Sequence, residues 1–223
     1  MFCAVMLAVT PLSAGAEGEG LPEPEPAPMP ASVVITEVQT GAAAGGDEFI
    51  ELHNVSAAPV DITGWQVRYA NASNAPTTKV ATVAGAAGGA VILQPGEYYT
   101  LYDLDAVPEG LAGQPYSATL SPADKTVALF AADLSTCQLV VADAVAWVTP
   151  AADPAQIKPT FGEGQPVDAA EVGSNDKLLR RVQDSSGRYV DTNNNNFDFV
   201  VTAAGKAAPL AQHATPGGDN QLF

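Results

Sequence analysis

Basic side chains are scarce in this sequence. Nine lysines and arginines stand against twenty-five acids, a formal net charge of −16. Polyanions are held by cationic surface, because neutralising their phosphates releases counterions. The charge therefore argues against nucleic acid and anionic lipid as partners. It suits solubility, and partners that are cationic or carry divalent metal. Charge of either sign is sparse, at 15% of residues, and aromatics make up only 7%. The two histidines, His53 and His213, lie too far apart in sequence for metal-ligand spacing. There is no GxSxG, HExxH, phosphate loop or paired CxxC, so the common signatures of nucleophilic, zinc and nucleotide chemistry are missing. There are two cysteines, Cys3 and Cys137. Loss of Cys3 on export would leave no intramolecular disulfide, and a chain of this length needs no staple. Cys137 precedes Leu139, Val140 and Val141 and reads as a small apolar strand residue.

Apolar mass is present, at 47% of the 223 residues, enough for one sizeable domain or two small ones. Alanine and valine supply much of it, so the core is expected to be thin and to lean on its few aromatics. Residues 1–16, MFCAVMLAVTPLSAGA, are uncharged and end in Ala14-Gly15-Ala16, the A-x-A cleavage pattern of a signal peptide. The stretch is shorter than the roughly 20 apolar residues of a bilayer span. A basic n-region is missing, which places the expected start of the chain upstream of Met1. Cys3 is a poor lipid anchor, with only Met1 and Phe2 before it. Residues 17–30, EGEGLPEPEPAPMP, read as an extended, self-repelling Pro/Glu-rich linker. It takes four acids, leaving 21 acids and nine bases in the domain at residues 31–223, a net charge of −12. The final residues, Pro216 to Phe223, contain no apolar anchor. The expectation is a protein secreted or held at the cell surface, with no transmembrane span beyond the signal peptide.

Within the domain no long stretch carries a 3.6-residue apolar period. Short β-rich runs broken by Gly, Pro and Asn recur instead, which predicts strands. They are expected at Val33–Val38, Glu48–Asn54, Gln66–Tyr69, Lys79–Val83, Ala90–Leu93, Tyr98–Tyr102, Tyr116–Leu120, Thr126–Phe130, Leu139–Val148, Leu178–Val182 and Phe197–Thr202. Alternation puts Ile50 and Leu52 on one face and Phe49, Glu51 and His53 on the other. Val145 and Trp147 share a face in the same way. Gln94-Pro95-Gly96-Glu97 predicts a type II turn. Asp61 to Gly64 turns the chain into Trp65, and Gly85–Gly89 is a loop tip. Thr149 to Asp176, with four prolines, reads as a surface excursion with room for one helical turn.

The order of these pieces resembles a known family. Val34-Ile35-Thr36-Glu37-Val38 is followed by Asp47 to Asn54 (DEFIELHN), then by Val60 to Trp65 (VDITGW) and Leu93 to Glu97 (LQPGE). Thr126 to Phe130 (TVALF) and Asp143 to Trp147 (DAVAW) come next, and Leu178 to Arg181 (LLRR), Asp191 to Asn195 (DTNNN) and Asp198-Phe199 close the series. Nine pieces in this order resemble the bacterial branch of the lamin tail domains, over roughly residues 32–218. The departures are the lack of a glycine-rich turn at residues 131–142 and the long excursion before Lys177. The resemblance implies an all-β, immunoglobulin-like antiparallel β-sandwich. It further implies an extracellular bacterial module, often appended to hydrolases, with no catalysis of its own. It marks Glu37, Glu51, Asn54, Gly64, Trp65, Trp147, Arg180, Asp191, Asp198 and Phe199 as structural motif positions.

Three sets of residues invite chemistry. Glu37, Glu48 and Glu51 suggest a carboxylate pair of the glycosidase kind, yet Glu48 and Glu51 are three apart in a strand and point to opposite faces. Glu37 or Glu51 is expected instead to pair with Arg180, tying the late strand to the early ones. Asp191, Asn193, Asn195 and Asp198 place oxygen ligands at alternate positions, as in a calcium loop. Against this, position six is Asn196 and position twelve is Thr202, and Asx residues make good turns unaided. Tyr98, Tyr99 and Tyr102 offer part of an aromatic face, of which only Tyr98 and Tyr102 share a side. Trp65 and Trp147 read as core, and Lys177, Arg180, Arg181, Arg188 and Lys206 as partners of internal carboxylates. No catalytic residue and no cofactor other than calcium is indicated. Two functions fit: a non-catalytic interaction or structural module, or a calcium- or carbohydrate-binding accessory module serving a secreted hydrolase. The sequence leaves open whether the partner is a protein or a surface glycan.

Overall fold

The computed structural model describes residues 31–41, 48–71, 78–103, 113–123, 125–133, 138–149, 162–170, 172 and 176–204. The signal peptide and linker expected at 1–30 lie outside these residues, as do Cys137, Lys206 and His213. Thirteen strands run through the described residues. They are β1 (Val33–Gln39), β2 (Phe49–Asn54), β3 (Val60–Asp61), β4 (Gln66–Asn71), β5 (Thr78–Thr82), β6 (Ile92–Leu93) and β7 (Tyr98–Asp103). After these come β8 (Gly113–Tyr116), β9 (Lys125–Asp133), β10 (Gln138–Val148), β11 (Val167–Asp168), β12 (Lys177–Arg181) and β13 (Phe199–Ala203). One helical turn, α1 (Asn195–Asp198), precedes β13.

Six strands form one sheet in the order β13-β12-β1-β2-β7-β8, and five form the other, β11-β10-β9-β4-β5. Pairing is antiparallel except between β7 and β8 and between β10 and β11. The short ribbon β3-β6 sits apart from both sheets. The architecture is an immunoglobulin-like β-sandwich. Its core follows from alternation: Ile35, Ile50, Leu52, Leu101 and Leu179 from one sheet meet Val67, Val127, Leu129, Val145 and Trp147 from the other. Trp65 closes the same cluster. Valine, isoleucine and leucine make up most of the cluster, with Trp65 and Trp147 as its largest members, and burial contributes about 25 cal/mol per Å² removed from water.

The turns behave as their residues dictate. Glu97 N–H donates to the Gln94 carbonyl at 3.0 Å, and Gly96 carries φ +81°. This is the left-handed backbone that a type II turn needs and that glycine supplies without strain. Gly64 has φ +82° where the chain enters β4.

Some boundaries differ from the sequence reading. Tyr116–Leu120 is not a strand: β8 ends at Tyr116 and pairs with β7 alone. Pro115 lacks an N–H and suits such an edge. Phe197 does not begin β13. It lies on α1 and is 66% exposed, because Asn194 caps that turn through its side chain, accepting from Asn196 N–H. Two short strands escaped the pattern, β3 and β11. The latter arises within the expected surface excursion, where Val167 pairs with Trp147.

Candidate functional site

β1 carries a bulge between Ile35 and Glu37, and its ladder with β12 ends at Glu37 opposite Arg180. Beyond that point the Ile35 backbone has no partner on the β12 side. Two side chains complete it. Ile35 N–H donates to Asp143 Oδ2 at 2.5 Å, and Arg181 Nε donates to the Ile35 carbonyl at 2.8 Å. Arg181 Nη2 reaches both Asp143 oxygens at 2.7 Å, closing a three-way tie. Asp143 comes from β10 in the opposite sheet, at that strand's own bulge. Both side chains of this pair are 0% exposed. Arg181 Nη1 also donates to the Val190 carbonyl at 3.1 Å, and the guanidinium lies 4.5 Å from the Phe199 ring centre. Burial pushes the Asp143 carboxyl up to about 6, while the pull of Arg181 and the Ile35 N–H hold it down. It is thus a carboxylate at neutral pH.

Three more acids converge on Arg181. One oxygen each from Glu163, Asp191 and Asp198 lies within 4.8 Å of the others. Asp191 Oδ1 is 3.7 Å and Asp198 Oδ2 4.0 Å from Arg181 Nη1. A cation therefore already stands beside this group. Of the four calcium-loop candidates, Asp191 and Asp198 meet in this group, while Asn195 is committed elsewhere. Asn195 is buried and turned to β10, where its Oδ1 accepts from Ala146 N–H at 2.9 Å and its Nδ2 donates to Ala144 O at 2.7 Å. Asn193 is exposed, with φ +54°. Asp198 accepts from Thr192 N and Oγ1 and from Asn194 N. The Asn-rich segment thus works as a side-chain clamp along the edge of β10, supplying the ladder bonds that a neighbouring strand would otherwise make.

On the outer face of the six-stranded sheet, Glu37 and Glu51 stand directly opposite one another on β1 and β2. Arg180 Nε meets Glu37 Oε1 at 2.5 Å, and Thr36 Oγ1 donates to Glu51 Oε1 at 2.5 Å. The pair expected of Arg180 forms with Glu37, but its arginine is 41% exposed, so it is not a buried pair. Glu37 and Glu51 are 1% and 0% exposed, which leaves no open approach for a substrate. Glu48 lies at the far end of β2, where its Oε2 accepts from Leu120 N–H at 2.7 Å. Burial, then Asp103 and Asp176, push it up to about 7. The three glutamates therefore do not form one site.

The three tyrosines part company. Tyr99 is core, its hydroxyl donating to Gln114 Oε1 at 3.0 Å. Tyr98 is half-buried and stacks on His53, ring centres 4.0 Å apart. Tyr102 is half-buried further along β7. Tyr189, from the hairpin after β12, completes an aromatic group that the sequence reading missed, edge-on to His53 at 5.2 Å. Asn54, a motif position, donates to Ala58 O and Leu93 O and braces the loop after β2.

Two facing sheets bound by an inward arginine–aspartate tie define an immunoglobulin-like module. Residues 26–149 match the family model of the Lamin Tail Domain, more than half of the chain. The chain belongs to the lamin tail domain family, whose immunoglobulin-like modules are generally non-catalytic. A search of curated proteins found no match. Among solved structures, the fold is similar to that of a DUF4876 family protein from Bacteroides thetaiotaomicron. The TM-score is 0.50 at 15% identity, covering 86% of this chain and 76% of that one. Such a likeness concerns fold alone.

Arg181 was among the bases expected to partner internal carboxylates, and it does; Asp143 and Glu163 were not singled out from sequence. Period 2 carried a signal for the pair: it places Arg181 on the face of Leu179 and Asp143 on that of Val145, both inward.

Removing one member of a fully buried ion pair costs about 3–5 kcal/mol, against about 1 for a half-exposed one. Arg181→Ala is therefore expected to lower Tm several-fold more than Arg180→Ala. Equal losses in calorimetry would refute the assignment. Burial, then Asp143 and Asp191, raise the Glu163 carboxyl from 4.5 to about 8. The folded protein keeps a proton there that the unfolded chain releases near 4.5, so this stability is full below that pH and lost as pH rises to about 8. Glu163→Gln should flatten the decline of Tm across that window. An unchanged slope would place the proton elsewhere. Because Arg181 stands beside the acids, millimolar calcium is expected to leave Tm unchanged. A rise would mean that the ion displaces the guanidinium.

Proposed function

We propose that the protein is a bacterial, non-catalytic lamin tail module that acts outside the cell. In this reading residues 1–16 are a signal peptide and 17–30 an extended spacer. Residues 31–223 form the displayed domain, either secreted or held at the cell surface. It serves structure or interaction, presenting loops and strand edges to a protein or glycan partner.

One observation carries this reading. Several buried charged side chains among the described residues are used to hold the chain together: Arg181 with Asp143, Glu37 with Arg180 and Glu51 with Thr36 join strands, while Glu48 with Leu120 and Asp198 with Thr192 brace loops. A catalytic acid or nucleophile needs reach to a substrate. The family's generally non-catalytic character supports the same view. Export is supported by the uncharged apolar start, the Ala14-Gly15-Ala16 pattern and the Pro/Glu stretch that follows. No helix among the described residues is long and apolar enough to cross a membrane.

Expression from the natural gene in a bacterial host, with any coding sequence upstream of Met1, tests the proposal. The expected product lies outside the cytoplasm and begins at Glu17 by N-terminal sequencing. An uncleaved cytoplasmic product would overturn the extracellular part of the reading.

A further inference from the structure

We infer that the cavity beside the Asp184–Tyr189 hairpin is a binding site for a neutral pyranose sugar. The inference extends the reading of a non-catalytic module and does not depend on where the protein resides. The cavity has a volume of about 590 Å³ and lies between the end of β2, the Gly96 turn and the Asp184–Asp191 segment. That volume is typical of pockets for small organic ligands, about 300–1,000 Å³, and is ample for a mono- or disaccharide.

Its walls hold what a sugar requires. A pyranose offers apolar C–H faces and a rim of hydroxyls that both donate and accept. His53 and Tyr189 supply ring surface. These rings are set in place before any ligand arrives. Tyr98 stacks on His53 with 26° between the planes, Tyr189 meets it edge-on, and the two tyrosine hydroxyls are 3.3 Å apart. Rings already locked lose little freedom on binding. Around them stand Arg188 and Asp191, planar groups suited to paired hydroxyls, with Asp184 holding the Arg188 guanidinium in place. Gly96 and Gly187, both with φ +81°, line the cavity, where no side chain of theirs narrows it.

The charges disfavour an anionic ligand. Arg188 is matched by Asp184, with Nη2 to Oδ2 at 3.1 Å. Asp191 lies 3.7 Å from Arg181, whose charge is already held by Asp143 at 2.7 Å. This wall therefore carries no surplus positive charge to hold an anion. A wholly apolar ligand would desolvate these polar groups without replacing their hydrogen bonds. A hydroxyl-rich ring with apolar faces satisfies both kinds of wall.

Saturation-transfer NMR on the full chain, with glucose, galactose, N-acetylglucosamine, cellobiose, maltose and chitobiose as millimolar probes, tests the site. Transfer to at least one probe is expected. It should be retained in Tyr189→Phe, which keeps the ring, and fall about tenfold in affinity in Tyr189→Ala. Arg188→Ala, at a side chain 82% exposed, leaves the fold in place and should also weaken binding. Absence of transfer from every probe, or transfer undiminished from that of the unaltered protein in both Arg188→Ala and Tyr189→Ala, would overturn the proposal. Cleavage of a disaccharide during the measurement would support binding here and overturn the non-catalytic reading instead.

Discussion

A carboxylate and a guanidinium, both closed off from water, join the two sheets where the first strand's ladder with β12 ends. Taking either ion out of water costs several kcal/mol. The cost is met by geometry: two Nη2 bonds to Asp143, one Nε bond to the Ile35 carbonyl and one Ile35 N–H bond to Asp143. Replacing such a pair wholesale with apolar residues is often neutral for stability. What the tie secures here is position. It fixes the register of β10 against β1, and the bulges in both strands exist around it.

The surroundings of Arg181 follow from that placement. The hairpin after β12 is held to the guanidinium through the Val190 carbonyl, and Phe199 covers the arginine as β13 begins. Asp191, Asp198 and Glu163 then gather near one buried positive charge. Four acids around one arginine cannot all ionise cheaply in a low-dielectric site. The excess falls on Glu163, the carboxyl pushed furthest up. The aromatic group of His53, Tyr98 and Tyr189 lies on the other side of the same hairpin, so the interlock also sets one wall of the cavity.

Much of the fold was legible because it is written with period 2. Ile50 with Leu52 and Val145 with Trp147 declare a core face by alternation, and all four lie in the core. Pro95-Gly96 declares a turn, and the turn has the φ that glycine alone takes without strain. The failures have equally local causes. Phe197 looked like strand because it is aromatic, but Asn194 caps a helical turn beneath it. Val167–Asp168 looked like loop because two residues show no period; it becomes a strand only by lying beside Trp147. The Asn-rich segment offered both a turn and an ion loop because Asx spacing suits either, and spacing says nothing of which way Asn195 turns.

The sequence by itself determined the class of fold, the strands that face inward and the acidic character of the surface. These depend on residue type and on neighbours one to four positions away. The tertiary structure alone decided that Arg181 rather than Arg180 is the buried base. It likewise decided that Asp143 is its partner, that Asn195 serves β10 and that His53 meets Tyr189. Each of these joins residues from 38 to well over 100 positions apart in the chain, as the bonds from Arg181 to Asp143 and to Ile35 do. Their pairing is set by register and bulges, where a shift of one residue turns a side chain to the opposite face.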